Sequence, residues 1–158
     1  MKFVTSYYAK IAEIREKYPD YIIVSISGGL DDYIIPLVDI WDKRLAPKKD
    51  FFNEYKKSNP GLEREIQYVK EFKSKVLIRD DEVTLNDILK SWSDRGGLNK
   101  TFVIMCYEVP SDFCHRHIVA EEIETKYGIE VPELFASEDY ERVNYKYRVT
   151  SNFTDDEW

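Results

Sequence analysis

The chain has 158 residues, 43% of them hydrophobic and 15% aromatic, which suffices for one domain with a buried core and excludes wholesale disorder. Its formal charge of −7 argues against a broad basic face for duplex DNA, because neutralised phosphates supply most of the non-specific affinity. No apolar stretch approaches the ~20 residues that are needed to cross a bilayer.

The cysteine content and the N-terminal residues indicate in which cellular compartment the protein is expected. Two cysteines, Cys106 and Cys114, are too few for a disulfide scaffold, and the first ten residues lack the apolar run of a signal peptide. We therefore expect a protein of the reducing cytoplasm, with thiols at both positions and no membrane span.

The first half of the chain opens with a β-α-β pattern. Apolar segments predict strands at residues 2–5 and 21–27, around a helix at 9–17. Residues 31–47 are irregular, and Pro47 then opens a helix at 48–57 by the preference of proline for a first turn. A charged helix is predicted at 61–76.

The second half repeats the strand-turn-helix pattern. Thr84 is the predicted N-cap of a helix at 85–92, and a strand follows at 101–108. A helix then runs from the turn at 110–112 to Tyr127, where Gly128 ends it. A late strand at 142–150 completes a single domain over residues 1–150, followed by an acidic tail at 151–158.

The predicted strands are continuously apolar rather than alternating, which is typical of strands that are covered on both faces. The fold class is therefore α/β, with three layers and a mostly parallel, Rossmann-like sheet flanked by helices. Ligands of such sheets lie beyond the carboxyl ends of the strands. The polar residues at these three ends are Thr5, Ser6 and Tyr7, then Ser25, Ser27, Gly28 and Gly29, and finally Cys106, Tyr107 and Glu108.

The third junction is the most specific, because Cys114, His115 and Arg116 fall in the first turn of the next helix, where free backbone N–H groups favour an anion. Helical phase places Arg116 on the face that packs on the sheet, so it needs an anionic partner. That partner is either a carboxylate such as Glu108, in an internal pair without a ligand, or a bound phosphate.

Two readings are open for the cysteines. The helix N-terminus and His115 can lower the pKa of the Cys114 thiol and make it a nucleophile, whereas buried cysteine is also common as a small apolar residue. Zinc is a further option for Cys106, Cys114, His115 and His117, but this spacing lacks the paired geometry of common zinc sites. We predict no metal and no cofactor, and expect His117 to be exposed on the outer face of its helix.

The segment from Met105 to Leu134 resembles the domain-of-unknown-function family 488, in which a strand ends in Cys-Tyr-Glu and Cys-His-Arg opens a helix. The segments TSYYAK, SISGG and KRLAPKKDFFNEYK are also similar to that family, whereas the pair Asp31–Asp32 stands where a more basic segment is expected. The resemblance implies an α/β domain of bacteria, archaea or their phages, with catalytic residues at the strand ends and no established reaction.

These features predict an enzyme that acts on a phosphate-bearing substrate, such as a nucleotide or a nucleic-acid end. Arg116, Ser27, Gly28 and Gly29 would hold the anion, Cys114 with His115 would attack or position the substrate, and Glu108 would move a proton, while Thr5, Ser6, Tyr7, Cys106 and Tyr107 would line the pocket. The alternatives are a non-catalytic nucleotide-binding or regulatory module, with Tyr7, Trp41 or Tyr107 stacking on the base, and a small adaptor that uses its acidic tail.

Overall fold

The fold is taken from a computed structural model, which describes residues 1–57, 62–77 and 83–137. The predicted strand at 142–150 and the acidic tail at 151–158 lie outside these described residues. In the described ranges, no helix combines the length and the apolar character that a membrane span requires.

A four-stranded parallel sheet forms the centre of the molecule. Its strands are β1 (Lys2–Tyr7), β2 (Ile22–Ser25), β3 (Ile40–Trp41) and β4 (Thr101–Cys106), in the order β1-β4-β2-β3. Val103 of β4 is in register with Val4 of β1 on one side and with Ile23 of β2 on the other. Because all of these strands run the same way, their carboxyl ends lie along one edge of the sheet.

Five α-helices lie beside the sheet in the described residues. They are α1 (Ile11–Lys17), α2 (Lys49–Lys57), α3 (Leu62–Phe72), α4 (Leu85–Gly96) and α5 (His115–Tyr127). Single 3-10 turns occupy Tyr8–Lys10, Ile35–Leu37 and Lys43–Leu45, and α3 continues into a π-helical turn at Lys73–Leu77.

The buried residues of the strands divide into two hydrophobic clusters, as expected for a sheet with helices on both faces. Val103 and Met105 of β4 pack in one cluster with Ile14 of α1, whereas Phe102 and Ile104 pack in the other, larger cluster. The larger cluster also contains buried residues of α2, α3, α4 and α5. This arrangement confirms the predicted three-layer α/β fold.

The helix ends follow the predicted capping signals. Thr84 forms a capping box with Asp87 at the start of α4, and Gly128 adopts the left-handed conformation at the end of α5, with φ of 66°. The structure differs from the prediction at α4, which continues to Gly96 because the chain turns out of the helix at Gly97, with φ of 106°. It also contains β3, which is too short to leave a periodic signal in the sequence.

Candidate functional site

A cavity of about 1230 Å³ opens at the carboxyl ends of β2 and β4. Its lining combines basic, aromatic and reactive side chains with a glycine-containing turn. The basic residues are Lys43, Arg44, Lys48, Lys49 and Lys56, and the aromatic residues are Phe52, Tyr55, Tyr68, Tyr107 and Phe113. Ser27, Gly28 and Gly29 line the turn after β2, and Cys106, Glu108, Cys114 and His115 lie at the junction of β4 and α5.

The cavity is positively charged although the chain as a whole carries −7. Five basic residues face a single acid, Glu108, among the described residues of the lining. Lys48 and Lys49 lie at the N-terminus of α2, where the helix dipole disfavours cations. Lys48 and Lys49 therefore add positive charge at a helix end that already carries a partial positive charge.

Two of the basic residues are held in place at the rim of the cavity. Arg44 donates hydrogen bonds to both carboxylate oxygens of Asp42, at 2.9 and 2.7 Å, and a third to Ser91 at 2.8 Å. The Lys43 ammonium group lies 4.3 Å from the centre of the Trp41 ring. These contacts hold the positive charges of Lys43 and Arg44 in fixed positions. They therefore reduce the conformational entropy that these side chains would lose when a ligand binds.

Asp42 anchors this rim to the core. Its carboxylate also accepts a hydrogen bond of 2.7 Å from the indole nitrogen of buried Trp92. Burial by itself would raise the pKa of Asp42, but the hydrogen bonds from Arg44 and Trp92 outweigh it, so the net pKa is lowered. Asp42 is therefore ionised at neutral pH and holds Arg44 in a fixed orientation.

The structure brings together most of the site residues that the sequence singles out. Ser27, Gly28 and Gly29 of the second strand end meet Cys106, Tyr107 and Glu108 of the third, and Cys114 and His115 complete the same wall. Thr5, Ser6 and Tyr7 are not among the lining residues. The reason is that the segment after α5 covers this end of β1, with backbone hydrogen bonds from Thr5 to Pro132 and from Leu134 to Thr5.

Cys106 and Cys114 are joined by a disulfide, which corrects the expectation of two thiols. Cys106 is the last residue of β4 and Cys114 is the N-cap of α5, and the turn between them folds back through a hydrogen bond from Asp112 N to Val109 O of 3.0 Å. In this form Cys114 has no thiolate. A nucleophilic role for Cys114 therefore belongs to the reduced protein.

The ring of His115 is oriented by the backbone of β2. Its Nε2 atom lies 2.8 Å from the carbonyl oxygen of Ile26, and its Nδ1 atom lies 3.9 Å from Cys114 Sγ. A carbonyl oxygen can only accept, so Nε2 carries the proton in the neutral ring. Burial, against a smaller opposing effect of this hydrogen bond, lowers the pKa of His115 to about 4.

Arg116 is fully buried and is absent from the lining of the cavity, contrary to the predicted role in anion binding. Its Nε and Nη2 atoms both lie 2.8 Å from Glu133 Oε1, and Nη1 donates to the carbonyl oxygen of Glu108 at 2.7 Å and to Cys106 Sγ at 3.1 Å. The expected anionic partner exists, but it is Glu133 rather than Glu108 or a phosphate. Arg116 thus holds the junction of β4 and α5 together.

His117 is buried rather than exposed, which also corrects the prediction. Its Nδ1 atom lies 4.0 Å from Glu133 Oε1. The chain after α5 returns to the first turn of the helix, as the contacts of Glu133 with Arg116 and His117 show. Helical phase alone could not reveal these contacts, because they depend on a residue 16 or 17 residues further along the chain.

The sequence analysis does not single out Tyr8, which holds the end of β2 beside the cavity. Its hydroxyl group lies 2.6 Å from Ser25 Oγ and 2.8 Å from Ser27 Oγ, and donates to the carbonyl oxygen of Met105 at 3.1 Å. Burial raises the pKa of Tyr8 to about 12, although the hydrogen bonds to the two serines oppose the shift. Nothing in the local sequence distinguishes Tyr8 from its neighbour Tyr7.

The basic lining was also missed, although it leaves a signal in the sequence. Four of its five members fall within seven residues, in the run KRLAPKK from Lys43 to Lys49. The proline preference predicts only that a helix begins at the end of this run, and α2 does begin there, at Lys49. The density of cations before an amphipathic helix could have indicated an anion site as well.

Fold and site together define a parallel α/β domain with a basic, aromatic cavity at the carboxyl edge of its sheet. Residues 29–127 match the family model DUF488-N3a, described as the active DUF488-N3 subclade. This match covers more than half of the chain, and the chain belongs to that family. Comparisons with curated proteins and with solved structures gave no match.

Proposed function

We propose that this protein is an enzyme that acts on a phosphate-bearing substrate, best matched by a nucleotide or a nucleic-acid end. The observation that carries the proposal is the basic lining of the cavity in an otherwise acidic chain. The volume of about 1230 Å³ exceeds the ~300–1,000 Å³ of typical ligand pockets, so a nucleotide has room to enter.

Phosphate groups are matched by the side of the cavity that α2 and the preceding 3-10 turn form. Lys48 and Lys49 lie next to each other there, and Lys43 and Arg44 approach from the turn. Ammonium groups bind phosphate as mobile point charges, whereas guanidinium adds directional hydrogen bonds. Gly28 and Gly29 also line the cavity and leave the backbone open to a close approach.

A nucleobase is matched by the aromatic side of the cavity. The rings of Tyr55 and Phe113 lie 5.3 Å apart, and Phe113 makes an edge contact with Tyr68 at 5.0 Å. Tyr107 also lines the cavity and is 42% exposed, so its ring is accessible to a ligand. Stacking of a base on such rings contributes roughly 1–3 kcal/mol and tolerates any base.

The reactive groups lie at the junction of β4 and α5. Glu108 is the carboxylate that can move a proton, and His115 is neutral at physiological pH because burial lowers its pKa. In the reduced protein Cys114 lies at a helix N-terminus, which favours its thiolate. A reducing cytoplasm would maintain that form, and the description of the family subclade as active supports catalysis.

The first experiment is a thermal-shift screen of the full chain against mononucleotides, dinucleotides and inorganic phosphate. We expect a nucleotide to raise the melting temperature, and the double variant Lys48→Ala/Lys49→Ala to lose at least about tenfold in affinity. Lys90→Ala is the matched control, because Lys90 is an exposed cation of α4 outside the cavity. Failure of every nucleotide to stabilise the wild type would overturn the proposal.

The second candidate is a non-catalytic nucleotide-binding module, which the disulfide at Cys114 favours because it removes the nucleophile. The two functions differ in turnover by the reduced protein. If the protein is an enzyme, Glu108→Gln should bind the nucleotide as the wild type does and lose product formation, as followed by chromatography of the reaction mixture. Binding without any product from reduced wild-type protein would establish the module instead.

A further inference from the structure

Three potential metal ligands converge at the inner end of the cavity. The sulfur atoms of Cys106 and Cys114 and a ring nitrogen of His115 all lie within 4.8 Å of one another, and all three residues are buried. These residues come from the end of β4 and from the first residues of α5, so the rigid sheet and helix fix their separation. His117, the fourth candidate in the sequence, is turned toward Glu133 instead.

We propose that the dithiol form of this protein binds one Zn²⁺ ion through Cys106 Sγ, Cys114 Sγ and His115 Nδ1. Two thiolates and one imidazole are ligands that zinc prefers, and three protein ligands leave a fourth position open, as in catalytic zinc sites. Because the three residues line the cavity, the open position would adjoin the space in which a substrate would lie.

The orientation of His115 is the strongest support for this site. Its Nε2–H group donates to the carbonyl oxygen of Ile26 at 2.8 Å, which leaves the lone pair on Nδ1, and Nδ1 is the atom that faces Cys114. Histidines that bind metals characteristically donate their other N–H group to a carbonyl or carboxylate in this way. The ring is therefore already held in the tautomer that a metal requires.

The distances also suit a tetrahedral ion. Bonds of about 2.3 Å to sulfur and about 2.0–2.1 Å to nitrogen place those two atoms roughly 3.6 Å apart. Cys114 Sγ and His115 Nδ1 lie 3.9 Å apart, close to that value. The Cα atoms of Cys106 and Cys114 are 7.5 Å apart, which leaves room for an ion between the side chains once the sulfur atoms are separate.

Arg116 contributes to the electrostatics of the same site. Its Nη1 atom donates to Cys106 Sγ at 3.1 Å, an interaction that stabilises a thiolate. Zn²⁺ with two thiolates and a neutral imidazole carries no net charge, and Glu133 balances the charge of Arg116, so the positive charge of the cavity would come from its lysines and Arg44. That balance is compatible with an anionic substrate beside the metal.

Formation of the site requires reduction of the disulfide. A phosphine reductant supplies the two electrons: the phosphine and one water molecule become the phosphine oxide, and the disulfide becomes two thiols. Zn²⁺ then displaces the two thiol protons, which pass to the buffer. The metal and the disulfide use the same sulfur atoms, so each form excludes the other.

The test uses the full chain, reduced with a phosphine, desalted without oxygen and titrated with Co²⁺ as a spectroscopic substitute for Zn²⁺. We expect one equivalent of Co²⁺ to produce a thiolate charge-transfer band and the visible bands of a tetrahedral ion, and Zn²⁺ to displace both. The disulfide form, which needs no substitution, should show neither band. Reduced wild type that has two titratable thiols and yet develops no charge-transfer band would overturn the proposal.

Variants locate the ligands. His115→Gln keeps an N–H group that can reach the carbonyl oxygen of Ile26 and removes the Nδ1 ligand, so its affinity for Co²⁺ should fall at least about tenfold. Cys114→Ser should lose the charge-transfer band of a second thiolate. His117→Gln is the matched control and should bind Co²⁺ as the wild type does. Unchanged affinity in folded His115→Gln, checked by circular dichroism, would contradict the assignment, while nucleotide binding tests the cavity separately.

Discussion

Arg116 and Glu133 show how a single buried pair fixes the candidate site. Both side chains are fully buried, and the guanidinium also holds the carbonyl oxygen of Glu108 and the sulfur of Cys106. The pair connects α5 to the chain segment that follows it and to the end of β4. Its contribution is positional, because the same contacts keep Arg116 away from the cavity.

We predict that Arg116→Met lowers the free energy of unfolding by about 3–5 kcal/mol, because it leaves the Glu133 carboxylate buried without its partner. The double variant Arg116→Met/Glu133→Leu should recover most of that loss, since it removes both charges. Urea unfolding followed by circular dichroism measures both values. A single variant as stable as the wild type would show that the pair does not support the junction.

Asp42 makes the stability of the folded protein depend on pH in the acid range. Its pKa is lower in the folded protein than the ordinary 3.8, so folding favours the ionised form. The stability from Asp42 is therefore fully present above the pKa of the unfolded chain, and it is lost as the pH falls through the lower pKa of the folded state.

We predict that Asp42→Asn is about 1–3 kcal/mol less stable than the wild type at neutral pH, because the charged hydrogen bonds to Arg44 are lost. The difference should shrink as the pH falls below 3.8. Urea unfolding of both proteins across the acid range checks this. A difference that stays constant down to the most acidic buffer would mean that Asp42 titrates normally.

At the scale of elements, the close approach of α4 to the sheet depends on Gly96. A Cβ atom added there would lie 3.0 Å from Ile22 Cγ1 of β2 and 3.1 Å from the Phe102 ring of β4. Phe102 is fully buried in the larger hydrophobic cluster, so its ring has little room to move. Gly96 is therefore required by packing rather than by backbone conformation.

We predict that Gly96→Ala destabilises the protein, although alanine has the higher helix propensity. The propensity gain is at most about 1 kcal/mol, whereas overpacking of a rigid core costs about 1–3 kcal/mol. The melting temperature should fall relative to Lys90→Ala, an exposed substitution on the same helix. A rise in melting temperature would show that α4 shifts freely over β2 and β4.

The elements that the sequence predicts well are those with local signals. Apolar runs identify β1, β2 and β4, and capping residues such as Thr84 and Gly128 identify helix ends, because each signal involves contacts within a few residues. By contrast, Glu133 contacts Arg116 and His117 in the first turn of α5 from 16 or 17 residues further along the chain. The predicted exposure of His117 was wrong for this reason. Arg116 does face inward and has an anionic partner, as predicted, but that partner is Glu133 rather than Glu108.

At the scale of the whole molecule, charge is segregated. The acidic balance of −7 describes the chain, but the cavity collects five basic residues, four of them from the short segment between Lys43 and Lys49. The location of the site at the strand ends could be predicted from topology rules, since parallel strands end at one edge. Its basic wall could be predicted only in part, because the cations between Lys43 and Lys49 are visible in the sequence but net charge does not reveal that the fold gathers them at the strand ends.

The most direct test of the anion-binding cavity is isothermal titration calorimetry with a nucleotide and the corresponding nucleoside, on wild type and on Lys48→Glu/Lys49→Glu. We predict that the nucleotide binds at least about tenfold more tightly than the nucleoside and that added salt weakens nucleotide binding. In the charge-reversed variant, the nucleotide and the nucleoside should bind with equal affinity. Equal affinity for the nucleotide and the nucleoside in the wild type would contradict a phosphate-binding cavity.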